Sequence, residues 1–315
     1  MKIRLKNPLA AVLSGVLLFA ALATSVTAQI ADPAITFRKN GALWVMNADA
    51  SNQKQILSAS GSIVAAALPN WSPDGQWITY RAGSINYVIS KSGGVPSLLS
   101  GDTIYQSNPV WSPLGDRVAY TWAFDTGGTG PWDVRAAPVR GGPIQILYRF
   151  QYPQALLGSL SWSPDATKTT VAIYDYSLTT SRKSSLNLLD TVLGTVQDLT
   201  HPLGFDWTDG RQADWARRHN WIAFCGAKIG ESSALWILDL DLGQARKLLP
   251  SLSYASPSWS PDDSRIVFRK LVTRNNKTRG ELWTVDVLTG VESFLVNDTA
   301  KGQSSGLEQP NWRRY

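Results

Sequence analysis

Tryptophan recurs along this chain at intervals that few architectures can accommodate. Six tryptophans stand at matching places in similar segments, and four of them are followed by Ser-Pro: Trp71, Trp111, Trp162, Trp215, Trp259 and Trp312. The intervals between them are 40, 51, 53, 44 and 53 residues. Such intervals fit a blade of four strands joined by loops of variable length. The repeat therefore predicts a propeller, in which these tryptophans fill the space between blades.

Each repeat contains four short runs that are typical of β-strands. In the best-preserved unit, Trp71 is followed by Ser-Pro-Asp-Gly and then by the run Trp77–Tyr80. Pro presets the backbone φ angle, Asp caps the turn and Gly accepts a positive φ, so the tetrapeptide favours a tight turn. The third and fourth runs of a unit, such as Leu235–Leu238 and Arg246–Leu249, are apolar or alternating, as strands are. Since one such sheet cannot bury both faces alone, the units are expected to pack radially.

The two ends of the chain predict how the ring closes. Three strand-like runs lie between Ile35 and Leu57 without a first strand, and the chain ends on a first strand alone, Pro310–Trp312. Pairing the last strand with the first completes one blade and leaves no open sheet edge. The predicted fold class is therefore all-β, a six-bladed β-propeller of four-stranded blades. An alternative of five blades with frayed ends would leave Trp44 and Trp312 without partners.

The repeat resembles that of TolB-like propellers, a WD-repeat-like family. The resemblance is carried by Trp-Ser-Pro-Asp-Gly at residues 71–75, Ile-Ala-Phe at 222–224 and Leu-Trp-Val-Met-Asn at 43–47, and it covers nearly all of residues 34–315. The same repeat occurs in the propeller domains of prolyl-oligopeptidase-type peptidases. The resemblance implies a six-bladed fold, a place outside the cytoplasm and a role in binding other proteins. It does not fix the function, because propellers host many roles.

The first 28 residues have the pattern of a secretory signal peptide. Lys2, Arg4 and Lys6 precede an apolar stretch, and Val26-Thr27-Ala28 supplies the small residues that signal peptidase requires. We therefore expect a signal peptide over residues 1–28, one propeller domain over residues 29–315 and a periplasmic or secreted protein. An N-terminal membrane anchor is the alternative, although the stretch is shorter than the roughly 20 residues of a spanning helix. No later segment has the apolar length of a membrane span.

Charge and cysteine content narrow the class of partner. The whole chain has 30 basic and 24 acidic residues, and the leader takes three of the basic ones. The mature chain would then carry a net charge of +3, which gives no reason to expect nucleic-acid binding. The single cysteine, Cys225, cannot form an internal disulfide. We expect a monomer held together by packing.

The sequence lacks the groups that catalysis would need. The string closest to a Gly-x-Ser-x-Gly nucleophile motif, Gly230–Ala234, has no final glycine. The only histidines, His201 and His219, are too few for a metal site built on several imidazoles, and both are expected to be ordinary surface residues. Asp206, Asp209 and Asp214 lie close together but do not have the spacing of a calcium-binding EF-hand loop. We therefore expect no catalytic residue, no metal and no cofactor.

A partner surface is predicted on one face of the ring. The links between second and third strands and those between blades emerge on the same face, and they are expected to be long. Functional residues concentrate on loops that a rigid scaffold holds, and aromatic side chains with arginine favour contact with a protein or glycan. The candidate partner-binding residues in these links are Tyr105, Phe124, Tyr152, Tyr176, Trp207, Tyr254 and Arg274. The last of them belongs to a basic link over residues 268–281.

The repeat is not uniform, and Trp162 is followed by Ser-Pro-Asp-Ala and a longer Thr-rich link. Trp215 is followed by Ala-Arg-Arg-His-Asn at residues 216–220 instead of Ser-Pro-Asp-Gly. Either the turn has drifted at a solvent-facing position, or Arg217 and Arg218 form a specialised basic turn. Taken together, the sequence predicts an exported, non-catalytic propeller that binds a protein or acts as a scaffold. The alternative is a propeller with a small-ligand or glycan site at the mouth of the central channel.

Overall fold

A computed structural model describes residues 34–59, 66–101, 105–124, 130–178, 184–250, 254–297 and 307–314. The predicted signal peptide, residues 1–28, lies outside these ranges. In the described part the chain forms six antiparallel sheets of four strands each, and its one helical element is a short 3₁₀ helix, His201–Leu203. None of its helices is long and apolar enough to cross a membrane. The predicted all-β, six-bladed propeller is confirmed.

The strands follow one another in the order predicted from the repeat. The first twelve strands, in chain order, are β1 Ile35–Lys39, β2 Ala42–Met46, β3 Lys54–Leu57, β4 Ala67–Trp71, β5 Trp77–Ala82, β6 Ile85–Ser90, β7 Ser97–Leu98, β8 Gln106–Trp111, β9 Arg117–Ala123, β10 Trp132–Pro138, β11 Gln145–Phe150 and β12 Gln154–Trp162. The remaining twelve are β13 Lys168–Asp175, β14 Ser184–Asp190, β15 Thr195–Asp198, β16 Phe205–Trp215, β17 Trp221–Lys228, β18 Ala234–Asp239, β19 Gln244–Leu249, β20 Tyr254–Trp259, β21 Arg265–Arg274, β22 Lys277–Asp286, β23 Glu292–Asn297 and β24 Leu307–Trp312.

Blade 1 joins the two ends of the chain. Its strand order is β24-β1-β2-β3, whereas blades 2 to 6 use four consecutive strands each, from β4–β7 to β20–β23. Strand β24 pairs antiparallel with β1, with Ile35 opposite Trp312 and Lys39 opposite Leu307. The predicted closure of the ring by its terminal strands is therefore confirmed, and β1 has no open edge.

The six repeat tryptophans are buried at the seams between blades. Trp162 of blade 4 packs with Val134, Leu147 and Phe150 of blade 3. Trp259 of blade 6 packs in the same way with blade 5 residues that include Cys225. Because truncation of a buried Trp to Ala costs about 3–5 kcal/mol, these side chains account for much of the cohesion between neighbouring sheets.

A hydrogen-bond belt joins the first strands of neighbouring blades. In five of the six blades the backbone N–H of the repeat Trp donates to the side chain of the residue that precedes the repeat Trp of the previous blade. The pairs are Trp71 with Asn311, Trp111 with Asn70, Trp215 with Ser161, Trp259 with Asp214 and Trp312 with Ser258, at 2.9–3.1 Å. At the seam between blades 3 and 4 the accepting position is occupied by Val110, which has no side-chain acceptor. There the indole N–H of Trp162 reaches the Val110 carbonyl at 3.4 Å instead.

Each first strand also contains a bulge that the sequence does not reveal. The residue three places before the repeat Trp has a positive φ in five blades: Leu68 at 55°, Asn108 at 51°, Ser159 at 60°, Ser256 at 59° and Gln309 at 50°. The register of the ladder shifts at these places. A non-glycine residue in this left-handed region costs roughly 1–2 kcal/mol, and the bulge bends the strand that lines the channel.

The two faces of the ring differ. We call the face that carries the turns between first and second strands, and between third and fourth strands, the short-turn face. The opposite face, which carries the links from second to third strands and from blade to blade, is the link face. On the link face several strands extend further than expected: β21 and β22 continue as a regular ladder to the pair Arg274–Lys277. The basic segment 268–281 is therefore a projecting two-stranded arm, and the expectation of a long loop there was wrong.

Candidate functional site

Two of the predicted contact residues form an exposed aromatic pair on the link face. Tyr152 and Tyr176 have ring centroids 6.3 Å apart and an interplanar angle of 18°. Tyr174 packs edge-on against Tyr176 at 4.8 Å. Although they support one another, Tyr152 and Tyr176 remain 59% and 51% exposed. We call Tyr152, Tyr174 and Tyr176 the tyrosine stack.

The backbone fixes the tyrosine stack across the seam between blades 3 and 4. Tyr152 lies in the link from β11 to β12, and Tyr176 follows β13 directly. The N–H of Tyr176 donates to the carbonyl of Pro153 at 2.9 Å, which ties the two segments together. An aromatic surface with little freedom loses little entropy when it binds, so it suits a contact site.

A second aromatic group lies on blade 3 of the same face. Phe124 is 62% exposed and packs edge-on against Trp122 at 6.2 Å. The carbonyl of Tyr105 accepts a hydrogen bond from the N–H of Ala123 at 3.1 Å. The backbone of Tyr105 therefore lies beside the residue that precedes Phe124. Four of the seven predicted contact residues therefore lie on blades 3 and 4.

An ion-pair network supports the blade 3 group from below. The buried Asp133 accepts hydrogen bonds from Arg135 at 2.8 Å and from Arg149 at 2.7 Å. The guanidinium of Arg135 also stacks 3.5 Å from the ring of Trp122. Burial by itself would raise the pKa of Asp133, but the hydrogen bonds and charges of Arg149 and Arg135 outweigh it and lower the pKa. Asp133 therefore stays ionised and holds Arg135 against the ring on which Phe124 rests.

The other three predicted contact residues lie elsewhere. Trp207 and Tyr254 are not in loops, because they lie within β16 and at the start of β20; their side chains lie outside what the structure describes. Arg274 is at the tip of the blade 6 arm and pairs with the buried carboxylate of Glu281. The indole N–H of Trp283 donates to the same carboxylate at 3.0 Å. The arm is far along the ring from the tyrosine stack, so the seven residues do not form one patch.

The central channel is narrow in its described part. The first strands enclose a cavity of about 60 Å³ lined by residues such as Asn70, Asn108 and Ser161. Small-molecule sites usually measure about 300–1,000 Å³, whereas this volume fits a few water molecules. Arg314, which follows β24, crosses from blade 1 to the carbonyl of Trp162 in blade 4 at 3.2 Å. The channel interior therefore does not offer room for a sugar ring.

Asp214 is the central charge of this channel. Its carboxylate accepts five hydrogen bonds, two from Arg217 and one each from Ser161, Ser258 and the backbone of Trp259, at 2.8–3.1 Å. Burial would raise the pKa of Asp214, but the charge and hydrogen bonds of Arg217, with the charge of Arg314, lower it. Asp214 therefore stays ionised with its oxygens occupied by protein donors, and it is not free to join Asp206 and Asp209 around a calcium ion.

A cleft lies between blades 4 and 5. It measures about 610 Å³ and is lined by the short turns at residues 163–165 and 218–220 and also by the link residues Pro202 and Leu203. His219, which sequence reasoning placed as an ordinary surface residue, has Nδ1 2.9 Å from Oδ2 of the buried Asp263. His201 likewise has Nδ1 2.7 Å from Oδ2 of Asp198. The signal available in the sequence was the departure of this one turn from the repeat.

Arg217 and Arg218 have different environments. Arg217 is buried and holds Asp214, so drift at a solvent-facing position does not describe it. Arg218 is exposed and lines the cleft. Cys225 is buried in the seam between blades 5 and 6. Across the described ranges, no three His, Cys, Asp or Glu side chains come together to hold a metal ion.

Comparison with known proteins supports the fold and does not decide the activity. No family model matches the sequence, and no curated protein matches it either. TolB from Acinetobacter baumannii superposes with a TM-score of 0.67 at 18% identity, over 89% of this chain and 66% of that chain. The putative TolB from Agrobacterium tumefaciens has a TM-score of 0.64 at 19% identity, over 84% and 89% of the two chains. The present chain thus spans about two thirds of the first of these proteins.

Enzymes are also among the structural neighbours. An oligogalacturonate lyase from Vibrio parahaemolyticus has a TM-score of 0.56 at 9% identity, over 84% of this chain and 74% of that chain. At such identities the likeness shows the fold alone, and one fold hosts unrelated functions. The chain has a TolB-like six-bladed propeller fold, and its function has to be argued from its own surface.

Proposed function

We propose that this chain is an exported, non-catalytic propeller that binds a protein partner through the link face of blades 3 and 4. The observation that carries the proposal is the exposed tyrosine stack, with Phe124 and Tyr105 on the adjoining blade. Exposed aromatic side chains on a rigid scaffold are enriched at protein interfaces. The TolB-like fold is consistent with this role.

Mutation of the tyrosine stack tests the proposal directly. Each interface side of a stable complex covers about 800 Å², and a few central aromatic residues supply most of the affinity. The double variant Tyr152→Ala, Tyr176→Ala removes two such anchors. If each contributes about 1.5–2 kcal/mol, the dissociation constant rises about 150- to 1,000-fold, while the fold is retained because both rings are largely exposed.

The experiment is proximity crosslinking and capture from the cell envelope fraction, followed by measurement of the affinity for the captured partner. Trp77→Ala is the matched control, since Trp77 is a 44% exposed aromatic residue at the start of β5 on the short-turn face. Loss of the partner with the double variant and its retention with the control would support the proposal. Equal capture by all three proteins would refute the assignment of the surface.

Export is tested separately. N-terminal sequencing of the mature protein should begin at Gln29, because the small residues at 26 and 28 place signal peptidase cleavage after Ala28. A protein that retains residues 1–28 would contradict this part of the proposal and leave the binding surface to be judged by its own experiment.

A further inference from the structure

Two departures from the repeat occur in neighbouring blades. In blade 2 the turn after Trp71 is held from within: the hydroxyl of Ser72 donates to Asp74 at 2.5 Å, and Asp74 accepts the N–H of Gln76 at 3.0 Å. The corresponding turn of blade 5, residues 216–220, has neither the serine nor the aspartate. In blade 6 the position of the turn glycine is occupied by Asp263, with φ of 60°.

These two departures compensate for each other. The carboxylate of Asp263 crosses the seam and accepts the backbone N–H groups of Arg217, Arg218 and His219 at 2.7–3.1 Å. Asp tolerates the left-handed conformation better than most residues because its short side chain bonds locally. A glycine at position 263 would leave the blade 5 turn without its anchor. The changed turn of blade 5 and Asp263 of blade 6 therefore form one hydrogen-bonded structure. Independent drift of two turns would not produce such a match.

The anchored turn presents His219 in a defined orientation. Its ring stacks on Trp221 at 4.2 Å with an interplanar angle of 11°, and Trp221 is itself held by Asp239 at 2.9 Å. The carboxylate of Asp263 can only accept, so Nδ1 of His219 carries a proton. The opposite nitrogen, Nε2, then offers a lone pair when the ring is neutral and an N–H when it is protonated.

The cleft beside this turn has an apolar wall and a polar rim. Leucines from both blades line it, namely Leu188, Leu199, Leu203, Leu238 and Leu240. Arg218, His219 and Lys168 stand at the polar side. Its volume of about 610 Å³ lies inside the usual range for small-molecule sites, about 300–1,000 Å³.

The charges around the cleft leave one strong donor uncommitted. Asp165 is occupied by the hydroxyls of Ser163 and Thr167 and by the Thr167 N–H. Asp198 is occupied by two backbone N–H groups and by His201, and Lys168 lies 4.0 Å from Asp190. Arg218, by contrast, forms no ion pair with any described residue. A guanidinium beside an apolar wall suits a carboxylate joined to an apolar body.

We propose that the cleft between blades 4 and 5 binds a small organic carboxylate whose apolar body lies on the leucine wall and whose anionic group meets Arg218 and His219. This site lies between blades 4 and 5 and shares no residue with the tyrosine stack, and it does not depend on the function proposed above.

Octanoate is a suitable probe for isothermal titration calorimetry with the purified protein, at concentrations below those at which it forms micelles. 1-Octanol tests the need for the charge and acetate tests the need for the apolar body, so octanoate should bind more tightly than either. Arg218→Gln should weaken octanoate binding at least about tenfold, because it removes a hydrogen bond between charged groups, and should leave 1-octanol binding unchanged. The backbone N–H that Asp263 holds is retained in this variant, so the turn should keep its structure.

Arg140→Gln is the matched control, because it removes one exposed positive charge from the short-turn face of blade 3 without touching the cleft. The methyl NMR resonances of Leu203 and Leu240 should shift on addition of octanoate, which locates the ligand. Three results would each overturn the proposal: octanoate binding that Arg218→Gln leaves unchanged, acetate binding as tight as that of octanoate, or shifts confined to methyl groups outside the cleft.

Discussion

Replacement of Asp214 by alanine should destabilise the propeller more than any exposed charge substitution. The carboxylate is buried and accepts five hydrogen bonds from three blades. Its removal leaves the guanidinium of Arg217 buried without its counter-charge and the N–H of Trp259 without an acceptor. Removing one partner of a buried ion pair costs about 3–5 kcal/mol. We therefore expect a loss of about 4 kcal/mol in the free energy of unfolding.

Urea denaturation followed by tryptophan fluorescence measures this loss, and calorimetry provides a second readout. The unfolding entropy of a domain of this size is about 0.6 kcal/mol/K, so a loss of about 4 kcal/mol lowers Tm by about 7 °C. The double variant Asp214→Ala, Arg217→Met removes both charges and should recover at least about 2 kcal/mol. The control Asp116→Ala, at a half-exposed carboxylate, should change stability by no more than about 0.5 kcal/mol.

The double variant Asp214→Ala, Arg217→Met tests whether the cost comes from the unpaired charge of Arg217. If it is as unstable as Asp214→Ala alone, the cost does not come from an unpaired charge, and the account of the channel as a compensated ion pair is wrong. A single variant within about 1 kcal/mol of the wild type would contradict the burial on which the estimate rests.

Three further predictions concern the ring and its turns. Deletion of residues 307–315 exposes the edge of β1 and should abolish the cooperative melting transition; a truncated protein that melts like the intact one in calorimetry would contradict closure by β24. Val110→Asn supplies the missing side-chain acceptor for the backbone N–H of Trp162, as Asn70 and Asn311 do at their seams. The variant should raise the free energy of unfolding by about 0.5–1 kcal/mol in urea titrations. Destabilisation would show that the hydrogen-bond belt does not contribute at that seam. Hydrogen bonds from Ser260 and Ser264 lower the pKa of Asp262 to about 2. Because the folded-state pKa lies below the unfolded one, this stabilisation is complete above about pH 4 and is lost as the pH falls towards 2. Asp262→Asn should therefore flatten the acid dependence of the urea midpoint between pH 4 and pH 2, and an unchanged slope would contradict this prediction.

The sequence predicted the blades and their closure because both depend on local, repeated chemistry. The motif Trp-Ser-Pro-Asp-Gly directly predicts a strand followed by a tight turn. The strand-like runs near the two ends of the sequence directly predict a blade that they share. The bulge three residues before five of the repeat tryptophans was not predictable, since Leu68 and Gln309 carry no preference for a positive φ. Tyr152 and Tyr176 were predicted as contact residues, but their stacking depends on two links that are 24 residues apart in the sequence. The partnership of Asp263 with the aberrant turn joins adjacent blades, and no single repeat contains the information for it.

The position of β24 gives the chain a property that concerns its synthesis. Strand β24, which pairs with β1, follows all the other strands of the propeller in chain order, so blade 1 stays one strand short until β24 has been synthesised. During that interval the edge of β1 presents unpaired backbone groups, which are a template for aggregation. A product that stops before β24 would keep this edge open, and proteases and chaperones could recognise it. The fold therefore makes the exposure of the β1 edge depend on whether β24 is present.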